Sequence, residues 1–202
     1  IRRLTPRRVV ITGVENAGKS TLARHLSDAL GWPLVPEAAR TDAAVTEDRT
    51  TPDDLQRLLD GIRGALAVPP DTLFDTGPIV LDLWARAVWN HTLEGVEAAR
   101  NHVDLFLLCD TLPDWEPDPL RSLPRWEDRQ ALEAQYVKAL DRSGRPWARL
   151  PVASVAERVE WARPAGWEPT TAASEKPCPR RPREVVGSEA CIDNVRDSLS
   201  AM

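Results

Sequence analysis

The stretch Arg8-Val-Val-Ile-Thr-Gly-Val-Glu-Asn-Ala-Gly-Lys-Ser-Thr21 decides the fold. Val9, Val10 and Ile11 predict a short buried strand, and Gly13 to Ser20 matches GxxxxGK(S/T). Leu22, Leu26 and Leu30 at four-residue spacing then predict an amphipathic helix stopped by Gly31. A strand, this loop and a helix in sequence make a phosphate-binding loop. Gly13 and Gly18 allow backbone torsions closed to other residues, so successive N–H groups can surround a phosphate. The helix adds the positive end of its dipole, Lys19 is expected at the β- and γ-phosphates, and Ser20 at a magnesium ion. The candidate nucleotide-binding set is therefore Gly13, Asn16, Ala17, Gly18, Lys19, Ser20 and Thr21.

Around that loop, 202 residues of 42% hydrophobic composition suffice for one α/β core with an appendage. A formal charge of −5 without a basic stripe gives no reason to expect a nucleic acid partner. Arg2, Arg3, Arg7 and Arg8 read as a solvated arm. Cys109, Cys178 and Cys191 show no zinc or disulfide spacing, which fits a reducing cytoplasm. No apolar run approaches the roughly 18 residues of a membrane span. The chain opens on Ile1 instead of Met, and whether an N-terminal part precedes it is left open.

Downstream, the alternation continues. A strand is expected at Trp32–Glu37, and a helix at Thr51-Pro-Asp-Asp that carries Leu55, Leu58, Leu59 and Ile62 and ends near Val68-Pro-Pro. A strand over Asp71–Asp75 leads to a helix bearing Leu81, Leu83, Trp84, Val88 and Trp89. Val103–Asp110 is the most apolar strand. Thr111–Pro124, with four prolines, should be irregular, and a helix follows from Trp126 to Arg142 with Gly144 after its end. A last strand is expected over Pro146–Leu150, and Ser154-Val-Ala-Glu157 is a capping box opening a last helix. Strands separated by helices predict a three-layer α/β fold, a parallel sheet of about five strands with helices on both faces. The domain should span 1–166, leaving 167–202 as a proline- and charge-rich tail expected to be disordered.

In such a sheet ligands collect at the carboxyl ends of the strands, and those ends carry Gly13, Glu37, Asp75 and Asp110. Phosphoryl transfer needs a carboxylate near the attacking hydroxyl, a metal site and cations for the developing charge. Asp75 is placed to hold magnesium through water or to accept the hydroxyl proton. Glu37, one turn from Arg40, could bind a polyhydroxyl substrate or act as base. Asp110 reads equally as substrate contact or as a cap of the next segment. Arg121, Arg125 and Arg129, spaced by four, offer mobile cations that could close over the site.

These pieces together resemble a known family. Gly13-Val-Glu-Asn-Ala-Gly-Lys-Ser, Val35-Pro-Glu-Ala-Ala-Arg40, Phe74-Asp-Thr-Gly-Pro78 with Trp84 downstream, Asp104-Leu-Phe-Leu-Leu-Cys-Asp110 and Trp115-Glu-Pro-Asp-Pro-Leu-Arg-Ser-Leu123 are similar to the ribosylnicotinamide kinase domain of the NadR-type proteins, within the P-loop ATPases. The resemblance runs from Arg8 to Ala162. It implies a nucleoside-monophosphate-kinase-like fold and ATP-dependent, magnesium-assisted phosphorylation of the ribose 5′-hydroxyl of nicotinamide riboside. It implies that Gly18, Lys19 and Ser20 bind ATP, that Glu37, Arg40 and Asp75 serve the substrate and metal side, and that Arg121 belongs to a lid. The chain departs from the family's pattern at Ala38, Gly77 and Pro119, and no Phe, Tyr or Trp lies between Trp32 and Phe74 to stack on a nicotinamide ring. Two functions follow: a kinase of a small hydroxylated metabolite, or an ATP-binding regulatory module acting through a protein partner. The oligomeric state is left open.

Overall fold

The computed structural model describes residues 7–67 and 71–163. The expected tail, Cys178 and Cys191, the arginines at 2 and 3, and the Val68-Pro-Pro helix end lie outside the described residues. Five strands, β1 (Arg8–Thr12), β2 (Leu34–Val35), β3 (Thr72–Asp75), β4 (Leu105–Cys109) and β5 (Trp147–Leu150), form one parallel sheet in the order β2-β3-β1-β4-β5. The strands are near-continuous apolar runs because a parallel sheet is covered on both faces, and β3 and β4 are buried along their whole length.

The helices are α1 (Lys19–Leu30), α2 (Ala43–Thr46), α3 (Pro52–Leu66), α4 (Pro78–Trp89), α5 (Val96–Asn101), α6 (Trp126–Ser143) and α7 (Val155–Ala162). α1 packs with α7, while α3, α4, α5 and α6 pack in a second group. The local signals account for most boundaries. Thr51 and Ser154 close the two capping boxes, and Gly31 and Gly144 end α1 and α6 in the left-handed conformation, with φ of 66° and 63°.

Two expectations change. The Trp32–Glu37 strand shrinks to Leu34–Val35, because Pro33 and Pro36 have no N–H to donate to the ladder. The connection between Glu37 and Thr51, for which no element is expected above, holds a 3-10 turn (Ala38–Thr41) and then α2, capped by Asp42, whose carboxylate accepts from the N–H groups of Ala44 and Val45. The short α5 is a further element that the sequence reading passed over.

Strand order positions the site. The chain leaves β1, builds β2 and β3 on one side, then crosses β1 to build β4 and β5 on the other. β1 is therefore the switch point, and its carboxyl end opens the crevice that parallel sheets use for ligands.

Candidate active site

The loop after β1 adopts the expected shape for reasons visible in its neighbours. Gly13 has φ +137°, and a Cβ there would lie 2.7 Å from the Cys109 carbonyl oxygen of β4. Gly18, with φ +74°, is the N-cap of α1 and leaves the helix N-terminus without a side-chain cap. Asn16 tolerates φ 58° as asparagine does. Ala17 is fully buried, so only its backbone serves the loop. Lys19 Nζ donates to the Val14 carbonyl at 2.7 Å, arching over the loop, and Ser20 and Thr21 lie in the first turn of α1.

Asp75 ends β3 opposite Ile11, beside the loop strand as expected. It is 6% exposed, and its Oδ1 makes no hydrogen bond among the described residues. Burial pushes its carboxyl above the ordinary range and nearby Glu37 adds to this, while the Ser20 hydroxyl, Lys19 and Arg40 pull it down. Glu37 accepts from Arg40 Nε at 2.9 Å and from the Thr76 hydroxyl at 3.4 Å. Arg40 donates onward to Asp118 at 3.2 Å. Burial disfavours the Arg40 charge, but Glu37 and Asp118 more than offset that. Thr76 sits at φ 77°, strained for a β-branched residue, at the point where β3 turns toward Glu37. Glu37, Arg40, Asp75, Lys19 and Ser20 thus form one group.

Residues 111–124 are irregular, as their prolines require, and lie as a strap across the loop. Glu15 accepts from the N–H of Ser122 at 3.1 Å and from that of Leu123. Burial raises its carboxyl against the pull of those two N–H groups. Asn16 donates to the Asp114 carbonyl and accepts from Arg121 Nη1 at 2.8 Å. The strap therefore stands on the phosphate loop on both sides, through Asp114 and through Arg121 to Leu123, and on Arg40 between them, through Asp118.

The three arginines part company. Arg121 reaches the loop. Arg125 has a side chain 63% exposed and faces Glu127 and Asp128 at 4.0 and 3.8 Å. Arg129 corrects the expectation of a mobile cation. It is 1% exposed and donates to the carbonyls of Leu123, Pro124, Leu112 and Pro113, with its guanidinium 5.1 Å from the Trp115 ring and 5.6 Å from that of Trp126. A proline-rich segment has carbonyls without a ladder to join, and a buried guanidinium gathers them.

Asp110 is not brought to the Glu37 group. It pairs with Arg149 at 3.3 Å, which also holds Glu133 at 3.1 Å, and burial pushes its carboxyl up to about 6. Glu133 in turn accepts from the Thr111 N–H at 2.8 Å. Sequence reasoning missed Glu15, Thr76, Asp118 and Arg158 of α7, which donates to the Ala17 carbonyl at 3.0 Å. Glu15, Thr76 and Asp118 stood inside motifs that the sequence carries, and for Glu15 an acid at a variable loop position was the available signal. For Arg158 no local pattern existed.

The AAA domain family matches residues 8–158. No curated protein matches the chain. Solved structures with a similar fold include a deoxyadenosine kinase from M. mycoides, 14% identical, with 76% of this chain and 95% of that one covered and a TM-score of 0.54. The NadR protein in complex with NR is 21% identical over 72% of this chain and 45% of that chain, at a TM-score of 0.55. NadR is also found in complex with NAD and AMP-PNP, with a TM-score of 0.55. Thymidylate kinase from Candida albicans is 14% identical, with coverage of 77% and 88% and a TM-score of 0.50. At these identities the likeness is one of fold, the P-loop fold of nucleoside and thymidylate kinases.

Proposed function

Because the chain belongs to the AAA domain family, we propose that it is an ATP-dependent kinase of a small hydroxylated metabolite, most simply a nucleoside, with nicotinamide riboside the leading acceptor. The observation that carries this reading is the buried Asp75 with an unpartnered Oδ1, next to Ser20 and Lys19 of the loop and facing the Glu37–Arg40 pair. A regulatory loop has no need of a second carboxylate group opposite its phosphates. The fold it shares with NadR, a protein solved with NR, adds support for the acceptor.

The residues divide the work. The N–H groups of Gly13 to Lys19 and the start of α1 would cradle the ATP phosphates, with Lys19 supplying charge. An orphaned carboxylate oxygen and a hydroxyl fit a divalent cation, so Ser20 and Asp75 would hold magnesium. No group of three or more His, Cys, Asp or Glu side chains that could by itself hold a metal ion occurs among the described residues, so the remaining ligands would come from phosphate and water. Magnesium, when bound, neutralises phosphate charge. Glu37, oriented by Arg40 and Thr76, takes the proton of the acceptor hydroxyl. Arg121 brings positive charge to the loop from the strap, and the strap excludes water.

ADP formation from Mg-ATP, followed with and without nicotinamide riboside and with product mass read in the same sample, tests the proposal. Riboside-dependent ADP with a phosphorylated riboside is the expected result. ATP binding without stimulation by any nucleoside in a panel would refute the kinase reading and leave a regulatory ATP-binding module.

A further inference from the structure

We propose that Arg158 is a positioning residue for the phosphate loop: a buried guanidinium from α7 that holds the Ala17–Gly18 peptide and strengthens it as a phosphate donor. The proposal rests on the reading of the loop as the ATP site.

Arg158 is 3% exposed. Its Nη1 donates to the Ala17 carbonyl at 3.0 Å, across 141 residues of sequence, and its Nη2 to the Leu150 carbonyl at 3.4 Å. Its Nε is buried without a hydrogen bond. Asp110, an acid whose field reaches it, spends its ion pair on Arg149 instead. A buried cation without its own carboxylate is costly, and a leucine would fill the same face of α7 at lower cost. The charge therefore acts on what it touches, and it touches the loop.

Peptide geometry says how. In a trans peptide the C=O and the N–H point in opposite directions. Fixing the Ala17 carbonyl toward α7 aims the Gly18 N–H away from it, and Gly18 is the N-cap of α1, where the free donors of the helix begin. A charged donor on the carbonyl also polarises the peptide and makes its N–H a stronger donor. The guanidinium lies tight against this turn: its Nη1 is 3.3 Å from where a Gly18 Cβ would stand. The phosphate loop is thus completed by a helix from the far end of the domain.

The test is equilibrium binding of a fluorescent ATP analogue to the full chain, with displacement by Mg-ATP, by inorganic tripolyphosphate and by adenosine. Arg158→Met should weaken ATP and tripolyphosphate in parallel by about 10- to 100-fold and leave adenosine unchanged, as expected for loss of a buried charged donor. Arg158→Lys, which keeps the charge, should recover most of the loss. If Arg158→Met does not melt cooperatively, Arg158→Gln, a donor without charge, replaces it and should also weaken tripolyphosphate. A folded Met or Gln variant that binds tripolyphosphate like the wild type overturns the proposal, as does equal weakening of adenosine and tripolyphosphate. A wild-type protein that binds neither ATP nor tripolyphosphate overturns the ATP reading and this proposal with it.

Discussion

Replacing Arg129 with methionine separates a structural from a catalytic arginine. The side chain donates to four carbonyls, at 3.2 Å (Leu123), 2.6 Å (Pro124), 3.2 Å (Leu112) and 3.2 Å (Pro113), and packs on two indole rings. At about 1 kcal/mol net for each bond and about 1 kcal/mol for the ring contacts together, the gross loss is about 5 kcal/mol. Methionine keeps much of the volume and removes the cost of burying a cation, which returns about 2 kcal/mol. The expected destabilisation is therefore about 3 kcal/mol. Urea unfolding followed by tryptophan fluorescence measures it directly, because Trp115 and Trp126 flank the substituted side chain. Arg125→Met, at an exposed position, is the control and should cost less than about 0.5 kcal/mol. Since the strap carries Arg121, Arg129→Met should also lower kcat/KM by about 100-fold, the scale of a misplaced charge-stabilising group. An Arg129→Met protein within about 0.5 kcal/mol of wild type would refute the view that this arginine organises the strap.

Asp75→Asn should retain ATP binding yet lose turnover by at least about 100-fold, whereas Lys19→Ala should weaken ATP binding itself; calorimetry beside the ADP assay separates the two, and wild-type turnover in Asp75→Asn would remove the metal assignment. Asp110 has a folded pKa of about 6, above its unfolded value, so the folded state binds the extra proton and stability falls as pH rises from about 4 to 6. Asp110→Asn should therefore be more stable than wild type by about 1–2 kcal/mol at pH 7, after discounting for partial exposure, with the gap closing below about pH 4; a gap independent of pH would contradict this. Arg149 keeps Glu133 as partner in that variant, so no charge is orphaned. Gly77→Ala would place a Cβ 2.6 Å from Val10 Cγ1 in the sheet, and thermal melting should show a loss of about 1–3 kcal/mol that Val10→Ala partly relieves.

Most elements were legible because their signals are local. Capping boxes at Thr51 and Ser154, and glycines at 31 and 144, fix helix ends within a few residues of sequence. Alternation of apolar strands with helices fixed the parallel sheet, and of the acids at strand ends Glu37 and Asp75 come together beside the loop while Asp110 pairs with Arg149. β2 was overextended because an apolar run looks the same whether or not its prolines can pair. The Arg121, Arg125 and Arg129 series was legible as three arginines but not as three roles. Four-residue spacing sees one face of a helix. Only the folded strap shows that Arg121 meets Asn16, that Arg125 stays in solvent and that Arg129 is buried beneath the prolines.

The sequence by itself determined the phosphate loop and the alternation of five strands with the longer helices, and it put Glu37 and Asp75 forward as candidate carboxylates, because each is specified by residues that are neighbours along the chain. The tertiary structure alone decided the contacts of Glu15 with Ser122 and Leu123, of Arg40 with Asp118, and of Arg158 with Ala17. Those pairs lie 78 to 141 residues apart. No periodicity or spacing encodes such a distance; the crossing of the chain over β1 brings them together, and burial then makes each unpaired polar group costly enough to require the partner it finds.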